Sequence, residues 1–267
     1  MHRKELYSIE RVSYSYGGFQ ALNDIELKFY EGECTAVLGA NGSGKSTLLK
    51  LLDALIHPTK GVIKFYGEPM KKGFNSTGFR ERVGFVFHEA DSQLFCPTVY
   101  EEIAFGPRQL KLLKEEIEGR VEDTLKMLGL GHLRDRAPYT LSSGEKKKVA
   151  IASVLSSGPE VLILDEPTNG LDPRTQVWLV ELLAALCSSG KTIIMATHDL
   201  SLAADFSARV VILDEAHRIA ADGDPKGILT NKTLLLDCNL IHEHAHRHGD
   251  VVHTHSHGPF AVHDEHD

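Results

Sequence analysis

The stretch GANGSGKST, residues 39–47, decides how this chain is read. It completes the pattern G-x-x-x-x-G-K-[ST] directly after an apolar run, CTAVLG, and directly before a helical one, KSTLLKLLDALI. Strand, glycine loop and helix in that order are the setting in which the pattern cradles phosphate. Gly39, Gly42 and Gly44, with Asn41 and Ser43 between them, let backbone N–H groups turn inward as an anion nest, and the helix adds the positive end of its dipole. Lys45 is expected to reach the β- and γ-phosphates of a nucleotide, Ser46 to set its hydroxyl on Mg2+, and Thr47 to donate to a phosphate.

Working outward, short β-branched runs recur at RVGFVF, VLILDEP, TIIMATH and RVVILD, separated by helical patterns such as EEIEGRVEDTLKMLGL. That alternation predicts an α/β fold with a mainly parallel central sheet, and the phosphate loop within it makes the fold one of the P-loop NTPase kind. The N-terminal runs YSIERVSYSY and ALNDIELKFY instead alternate apolar and polar residues, which predicts an antiparallel β-subdomain with one wet face. Residues 93–138 have helical periodicity and read as a helical insertion. PKGILTNKTLLLDCNL reads as one short C-terminal helical segment. VLILDEP, residues 161–167, is a buried strand ending in two carboxylates. Asp165 and Glu166 cannot enter an apolar core without partners, so they are placed at the carboxyl end of the strand, where ligands bind in such sheets. Asp165 is then a Mg2+ partner, and Glu166 a general base for an attacking water.

Composition bounds these readings. The chain has 267 residues, 42% of them hydrophobic, enough for a substantial core, and a formal net charge of -8. An acidic balance argues against general nucleic-acid binding, which needs basic surface to displace phosphate counterions. The longest apolar run, VWLVELLAALC, is short for a bilayer span and is broken by Glu181. The N-terminal residues lack the apolar core of a signal peptide. Cys34, Cys96, Cys187 and Cys238 are scattered without a C-x-x-C pair and are expected to be reduced packing residues.

Two further segments complete a family pattern. LSSGEKKKVAIASVL (141–155) lies just ahead of the carboxylate strand and ATHDL (196–200) follows it. With these, residues 6–225 resemble the ATP-binding subunit of ABC transporters. The resemblance implies an ATPase domain over residues 1–225 with a helical signature subdomain, a helical extension over 226–240, and ATP and Mg2+ as cofactors. It assigns Tyr16 to stacking on adenine and His198 to contact with the γ-phosphate, beside Glu166 and Lys45 as catalytic residues. It also places Asp172, in NGLD, where two subunits face each other. Ser142 and Gly144 begin the signature helix, whose N-terminal amides point at the γ-phosphate held by the opposite subunit. A homodimer or a heterodimer with a related ATPase is implied, closing on ATP and opening after hydrolysis.

The chain departs from the commonest family pattern at three places. Ser143 and Glu145 stand where glycine and glutamine are usual, leaving Ser142 and Gly144 intact, so altered rates are expected and not a dead site. His88 stands where glutamine is usual, in the loop that touches Mg2+ and answers to the membrane partner. An imidazole cannot offer the amide oxygen that coordinates Mg2+ comfortably, so His88 is expected to keep the coupling role with a weaker metal contact.

FHEADSQLFCPTVYEEIAFGPRQL and DGDPKGILTNKTLLLDCNL are similar to the energy-coupling-factor group of importers. In that group the ATPase sits on the cytoplasmic face of the membrane and works with a transmembrane coupling subunit and a substrate-binding membrane subunit. A histidine-rich end is similar to the cobalt and nickel importers within it. Here residues 241–267 are read as a flexible tail carrying His242, His244, His246, His248, His253, His255, His257, His263 and His266. Imidazole suits nickel, cobalt, copper and zinc, so the tail is consistent with an accessory transition-metal segment and does not choose the ion. Incidental metal binding by a solvated tail fits the same composition. Import of a vitamin or zinc stays open, as does a metal-storage or chaperone protein with a nucleotide switch. The last would leave the signature segment unexplained.

Overall fold

The structure, a computed structural model, describes residues 4–71, 73, 74, 77–241, 243–248 and 251–256, the final two stretches as backbone. The chain opens with two long strands, β1 (Glu5–Tyr16) and β2 (Phe19–Tyr30), joined by the tight Gly17–Gly18 turn. β3 (Cys34–Gly39) then enters the interior, wholly buried, and delivers the phosphate loop to α1 (Lys45–Leu52). β4 (Lys60–Phe65) and β5 (Glu68–Pro69) return to the first two strands, giving an antiparallel sheet of order β2-β1-β4-β5. The antiparallel subdomain expected from the N-terminus is present. Its third and fourth strands arrive from beyond the phosphate loop, where sequence alternation is weak.

α2 (Thr77–Arg82) and β6 (Val83–Val86) lead into the helical layer of α3 (Val99–Gln109), α4 (Lys114–Met127) and α5 (Ser143–Leu155). These helices share an apolar cluster in which Val99, Ile103, Val121, Leu125, Val149 and Ala152 are buried, so the insertion has a core of its own. The main sheet is completed by β7 (Val161–Asp165), β8 (Thr192–Ala196), β9 (Arg209–Leu213) and β10 (Ile219–Gly223), with α6 (Pro173–Ser188) and α7 (Leu200–Phe206) between them. Its order is β10-β9-β3-β8-β7-β6, parallel throughout except for antiparallel β10 at the edge. Strands buried on both faces read as continuous apolar runs, and β3, β7 and β8 are fully buried.

Two expectations are corrected here. Residues 225–240 form two helices, α8 (Pro225–Leu229) and α9 (Lys232–Asp237), because the Asn231 side chain accepts the Leu234 N–H at 3.2 Å and starts a new helix. Cys34 and Cys187 are joined as a disulfide with their Cα atoms 6.3 Å apart, although 153 residues separate them in sequence. Packing of α6 on β3 makes that pair, and local spacing could not show it. Cys96 and Cys238 remain free thiols. Within the histidine-rich segment, the backbone of β11 (Glu243–His248) pairs with that of β12 (Val251–Ser256), with His244 opposite His255 and His246 opposite His253. Every-second-residue alternation is as much a strand pattern as a tail composition. His242, His257, His263 and His266 lie outside the described residues.

Ile241 belongs to the body of the protein. It is buried with Ile228, Leu229, Leu235 and Cys238 against Ala36 and Leu38 of β3 and Val210 and Ile212 of β9. Removing residues 242–267 is therefore expected to leave thermal stability and ATPase rate near the parent's. Ile241→Ala should cost about 2–5 kcal/mol, as deletion of a buried isoleucine does. Thermal melts of the two variants check this. An unfolded or inactive 1–241 protein would show that the ribbon is part of the body.

Candidate nucleotide site

The carboxyl ends of β3, β7 and β8 converge, and each hands a different group to one cleft. Register fixes the convergence: Val37 on β3 and Asp165 on β7 both pair with Ala196 at the end of β8. The cleft, about 510 Å3, is lined by Tyr16, Phe19, Asn41, Gly42, Gly44, Lys45, Ser46, Thr47, His88, Asp165 and Glu166 among others. Of the sequence-predicted residues, Asn41, Gly42, Gly44, Lys45, Ser46, Thr47, both carboxylates, Tyr16 and His88 are thus brought together, while Gly39, Ser43 and His198 do not line the cleft.

Gly44 caps α1 at φ 108, in the left-handed region, and a Cβ there would run into the Ala21 carbonyl and Leu22. Lys45 is 6% exposed. Its Nζ donates to the carbonyls of Gly39 (2.8 Å) and Ala40 (3.2 Å) and lies 3.4 Å from Glu166 Oε1. The ammonium is held across the loop mouth by groups that an incoming phosphate can replace. Ser46 Oγ donates to Asp165 Oδ1 at 2.9 Å. Burial pushes the Asp165 carboxyl above its ordinary range, partly offset by the Ser46 hydroxyl and by the nearby His88 and Lys50 side chains. A buried carboxylate bonded to a hydroxyl is a hard oxygen pair suited to Mg2+, and a cation there would offset the desolvation. Ser43 Oγ is buried without a hydrogen-bond partner inside the loop, a further group open to a ligand.

Glu166 follows β7 with φ 44, a left-handed conformation unusual for a residue with a side chain. Its N–H donates to the Ala196 carbonyl at 2.9 Å, and His198 Nδ1–H donates to its Oε2 at 2.9 Å. The carboxylate is therefore aimed by two strands at once. Tyr16 is 44% exposed and stands edge-on to the half-buried Tyr14, with centroids 4.8 Å apart, so of the two tyrosines Tyr16 is the one that lines the cleft.

Ser142, Gly144, Glu145 and Asp172 do not line this cleft. Ser142 caps α5, and its side chain and N–H both meet Glu145 Oε2 at 2.8 Å while its hydroxyl accepts the Glu145 N–H at 3.3 Å. The Glu145 carboxylate is thus turned onto the cap, and these hydrogen bonds hold its pKa below the usual value. Asp172 caps α6 through the Thr175 N–H at 3.1 Å, and a Cβ on Gly144 would lie 2.9 Å from Thr175 Oγ1, so the two segments are packed side by side. Together they form a second face, apart from the phosphate loop of the same chain.

His88 links the two regions. It lines the nucleotide cleft and also a neighbouring cleft with Ser143, Lys147 and Asn169. Asn169 Nδ2–H donates to His88 Nε2 at 3.2 Å. Lys147, 3% exposed, donates to the carbonyls of His88 (2.6 Å) and Phe87 (3.2 Å), and burial lowers its pKa to about 8. Gln93 accepts the Phe87 N–H at 3.1 Å and donates to Ala150 of α5 at 2.8 Å. Asn169, Lys147 and Gln93 escaped sequence reading because their partners are tens of residues away. A lysine among three, in KKK, carried no signal of burial.

A phosphate loop on a parallel sheet, facing a carboxylate pair and a histidine, defines a nucleotide-hydrolysing P-loop ATPase. The profile of the ABC transporter family matches residues 22–169, and the chain belongs to that family as an ATP-binding, ATP-hydrolysing cassette. A protein of Methanosarcina acetivorans described as an ABC transporter ATP-binding protein is 51% identical over 94% of this chain and 98% of its own. The nickel import ATP-binding protein NikO of Rhodobacter capsulatus is 45% identical over 88% of this chain and 95% of its own. Among solved structures, CbiO1 of Clostridium perfringens, part of the ABC transporter complex CbiONQ, is 39% identical. It superposes with a TM-score of 0.76 over 89% of this chain and 95% of that one. The cassette MJ0796, solved as a dimer in a post-hydrolysis state with ADP and Pi, is 28% identical with a TM-score of 0.74, over 82% of this chain and 99% of that one.

Proposed function

We propose that this chain is the ATPase of an energy-coupling-factor importer for nickel or cobalt, working as a dimer beneath separate membrane subunits. The observation that carries the reading is likeness, over nearly nine-tenths of the chain, to relatives named for nickel import and for the CbiONQ complex. The histidine-rich end supports a late transition metal in the same direction. Among the described residues no helix is long and apolar enough to cross a membrane, and we place the chain at the cytoplasmic face as a peripheral subunit.

In the proposed cycle the Lys45 ammonium leaves the Gly39 and Ala40 carbonyls for the β- and γ-phosphates. The P-loop amides, Asn41, Ser43 and Thr47 surround the phosphate tail, and Tyr16 stacks on adenine. Ser46 and Asp165 would hold Mg2+, which supplies charge neutralisation at the phosphates. Glu166 accepts the proton of the attacking water while His198 steadies the carboxylate and the γ-phosphate side. Ser142, Gly144 and Asp172 line no part of their own chain's cleft, so they act on the partner's nucleotide across a dimer interface. His88, bonded to Asn169 and Lys147, carries the state of the cleft to the loop that meets the membrane subunit.

Cells carrying this chain with its membrane partners should accumulate labelled nickel or cobalt, and the Glu166→Gln variant should not. Uptake of a vitamin or of zinc instead would overturn the substrate reading and leave the ATPase standing. His88→Gln is expected to lower the Mg2+ concentration that half-saturates hydrolysis and to alter stimulation by the membrane partners. Unchanged hydrolysis together with unchanged stimulation would remove His88 from the coupling route.

A further inference from the structure

We propose that Phe19 is a second purine-contacting aromatic of the nucleotide site, and that His217 is the positioning residue that holds it against the phosphate loop. The inference rests on the placing of adenine beside Tyr16 and extends it to two residues from different parts of the chain.

Tyr16 and Phe19 are direct cross-strand partners closing the Gly17–Gly18 hairpin. Residues directly opposite on paired strands project to the same face, with Cβ atoms about 4.5–5.5 Å apart. Both line the cleft that holds the phosphate loop, and Phe19 is 61% exposed. An aromatic left open at the rim of a polar anion cradle is matched by a ligand that is charged at one end and flat and apolar at the other. A nucleotide whose phosphates fill residues 39–47 carries its base outward to this hairpin.

His217 lies in the turn between β9 and β10, nearly two hundred residues from Phe19 in sequence. Its φ of 62 is in the left-handed region, where glycine would sit without strain. The backbone is tied down, since the His217 carbonyl accepts the Asn23 N–H at 2.9 Å and its N–H donates to Asp214 at 3.1 Å. From there the ring reaches two parts of the nucleotide site. Nδ1–H donates to the Ser43 carbonyl at 3.2 Å, and the ring meets Phe19 at 79° with centroids 5.5 Å apart. A glycine would serve the turn and make neither contact. The imidazole couples the loop that holds the phosphates to the ring that faces the base.

The test uses the full-length protein and two probes, ATP and inorganic tripolyphosphate, which has the phosphates without the base. Phe19→Ala should raise the Kd for ATP about tenfold, the size of one lost base–aromatic contact, and leave the inhibition constant of tripolyphosphate unchanged. His217→Asn tolerates a left-handed φ and keeps a donor for Ser43 while losing the ring. It should weaken ATP and spare tripolyphosphate, with kcat at saturating ATP unchanged. Phe19→Ala combined with His217→Asn should weaken ATP no more than Phe19→Ala alone, because one residue acts through the other. Phe19→Trp should bind ATP normally and show emission quenched by ATP but not by tripolyphosphate. Equal loss of both probes in Phe19→Ala, or ATP affinity within twofold of the parent, overturns the Phe19 contact. Additive losses in the double variant overturn the positioning role. Tyr16→Ala, measured in parallel, keeps the two readings apart, since an unaffected Tyr16→Ala beside a weakened Phe19→Ala would sink only the Tyr16 assignment.

Discussion

Glu166→Gln is expected to lower ATP turnover by about 10²–10⁴-fold, the range that a positioned general base contributes, while ATP binding is kept or strengthened. The geometry gives the reason. Glu166 is buried to 7% exposure at the end of β7, aimed by its bond to the Ala196 carbonyl and by His198 on Oε2. Glutamine has the same size and can take similar hydrogen bonds, but it cannot accept a proton from water. Removing a negative charge 3.4 Å from Lys45 also frees that ammonium for the phosphates. The variant should therefore load ATP, close with a second copy and stay closed. Steady-state hydrolysis measures the first effect, and size-exclusion chromatography with ATP and Mg2+ measures the second. Turnover within tenfold of the parent would remove Glu166 from the role of base. His198→Ala should show a smaller loss without trapping, because it disturbs the aim of the carboxylate and leaves the carboxylate itself.

How much of this was legible before the structure follows from the distance over which each feature is made. The phosphate loop is local, with strand, glycines, lysine and helix falling within about twenty residues, and the structure has β3, loop and α1 in that order with Gly42, Gly44 and Lys45 lining the cleft. Asp165 and Glu166 were placed at a strand end by the cost of burying them elsewhere, and β7 ends at Asp165. Tyr16 and Tyr14 share a strand face, so alternation does not distinguish them, and of the two only Tyr16 lines the cleft. The ties of His88 to Asn169 and Lys147, and of His217 to Ser43 and Phe19, cross 59 to 198 positions and leave no periodic trace. The break between α8 and α9 was missed for a different reason. Its signal, Asn231 followed three residues later by an apolar run, is a short capping pattern inside a stretch that looks helical on both sides.

The Cys34–Cys187 link sets the second large expectation, which concerns stability and not catalysis. Cys34 opens β3 and is 5% exposed, and Cys187 is half-buried in the last turn of α6. The bond closes a span of 153 residues that contains the phosphate loop, the helical layer and the carboxylate strand. Restricting so long a loop in the unfolded chain is worth about 5 kcal/mol in the chain-entropy treatment, and removal of native disulfides typically costs 2–5 kcal/mol. Cys187→Ser is therefore expected to lower the melting temperature by roughly 5–15 °C, taking about 2–4 °C per kcal/mol for a domain near this size. Activity at 25 °C should be close to the parent's, because Cys34 sits at the opposite end of β3 from the loop it delivers. Two controls make the result specific. A reducing agent should bring the parent down to the variant's midpoint and leave the variant unmoved. Unfolded parent protein, without reductant, should titrate as two free thiols, Cys96 and Cys238. Four reactive thiols with a reductant-insensitive midpoint would return Cys34 and Cys187 to the reduced packing role read from their spacing. Two thiols with an unchanged midpoint in the variant would instead mean that residual structure in the unfolded chain already restricts this loop without the bond.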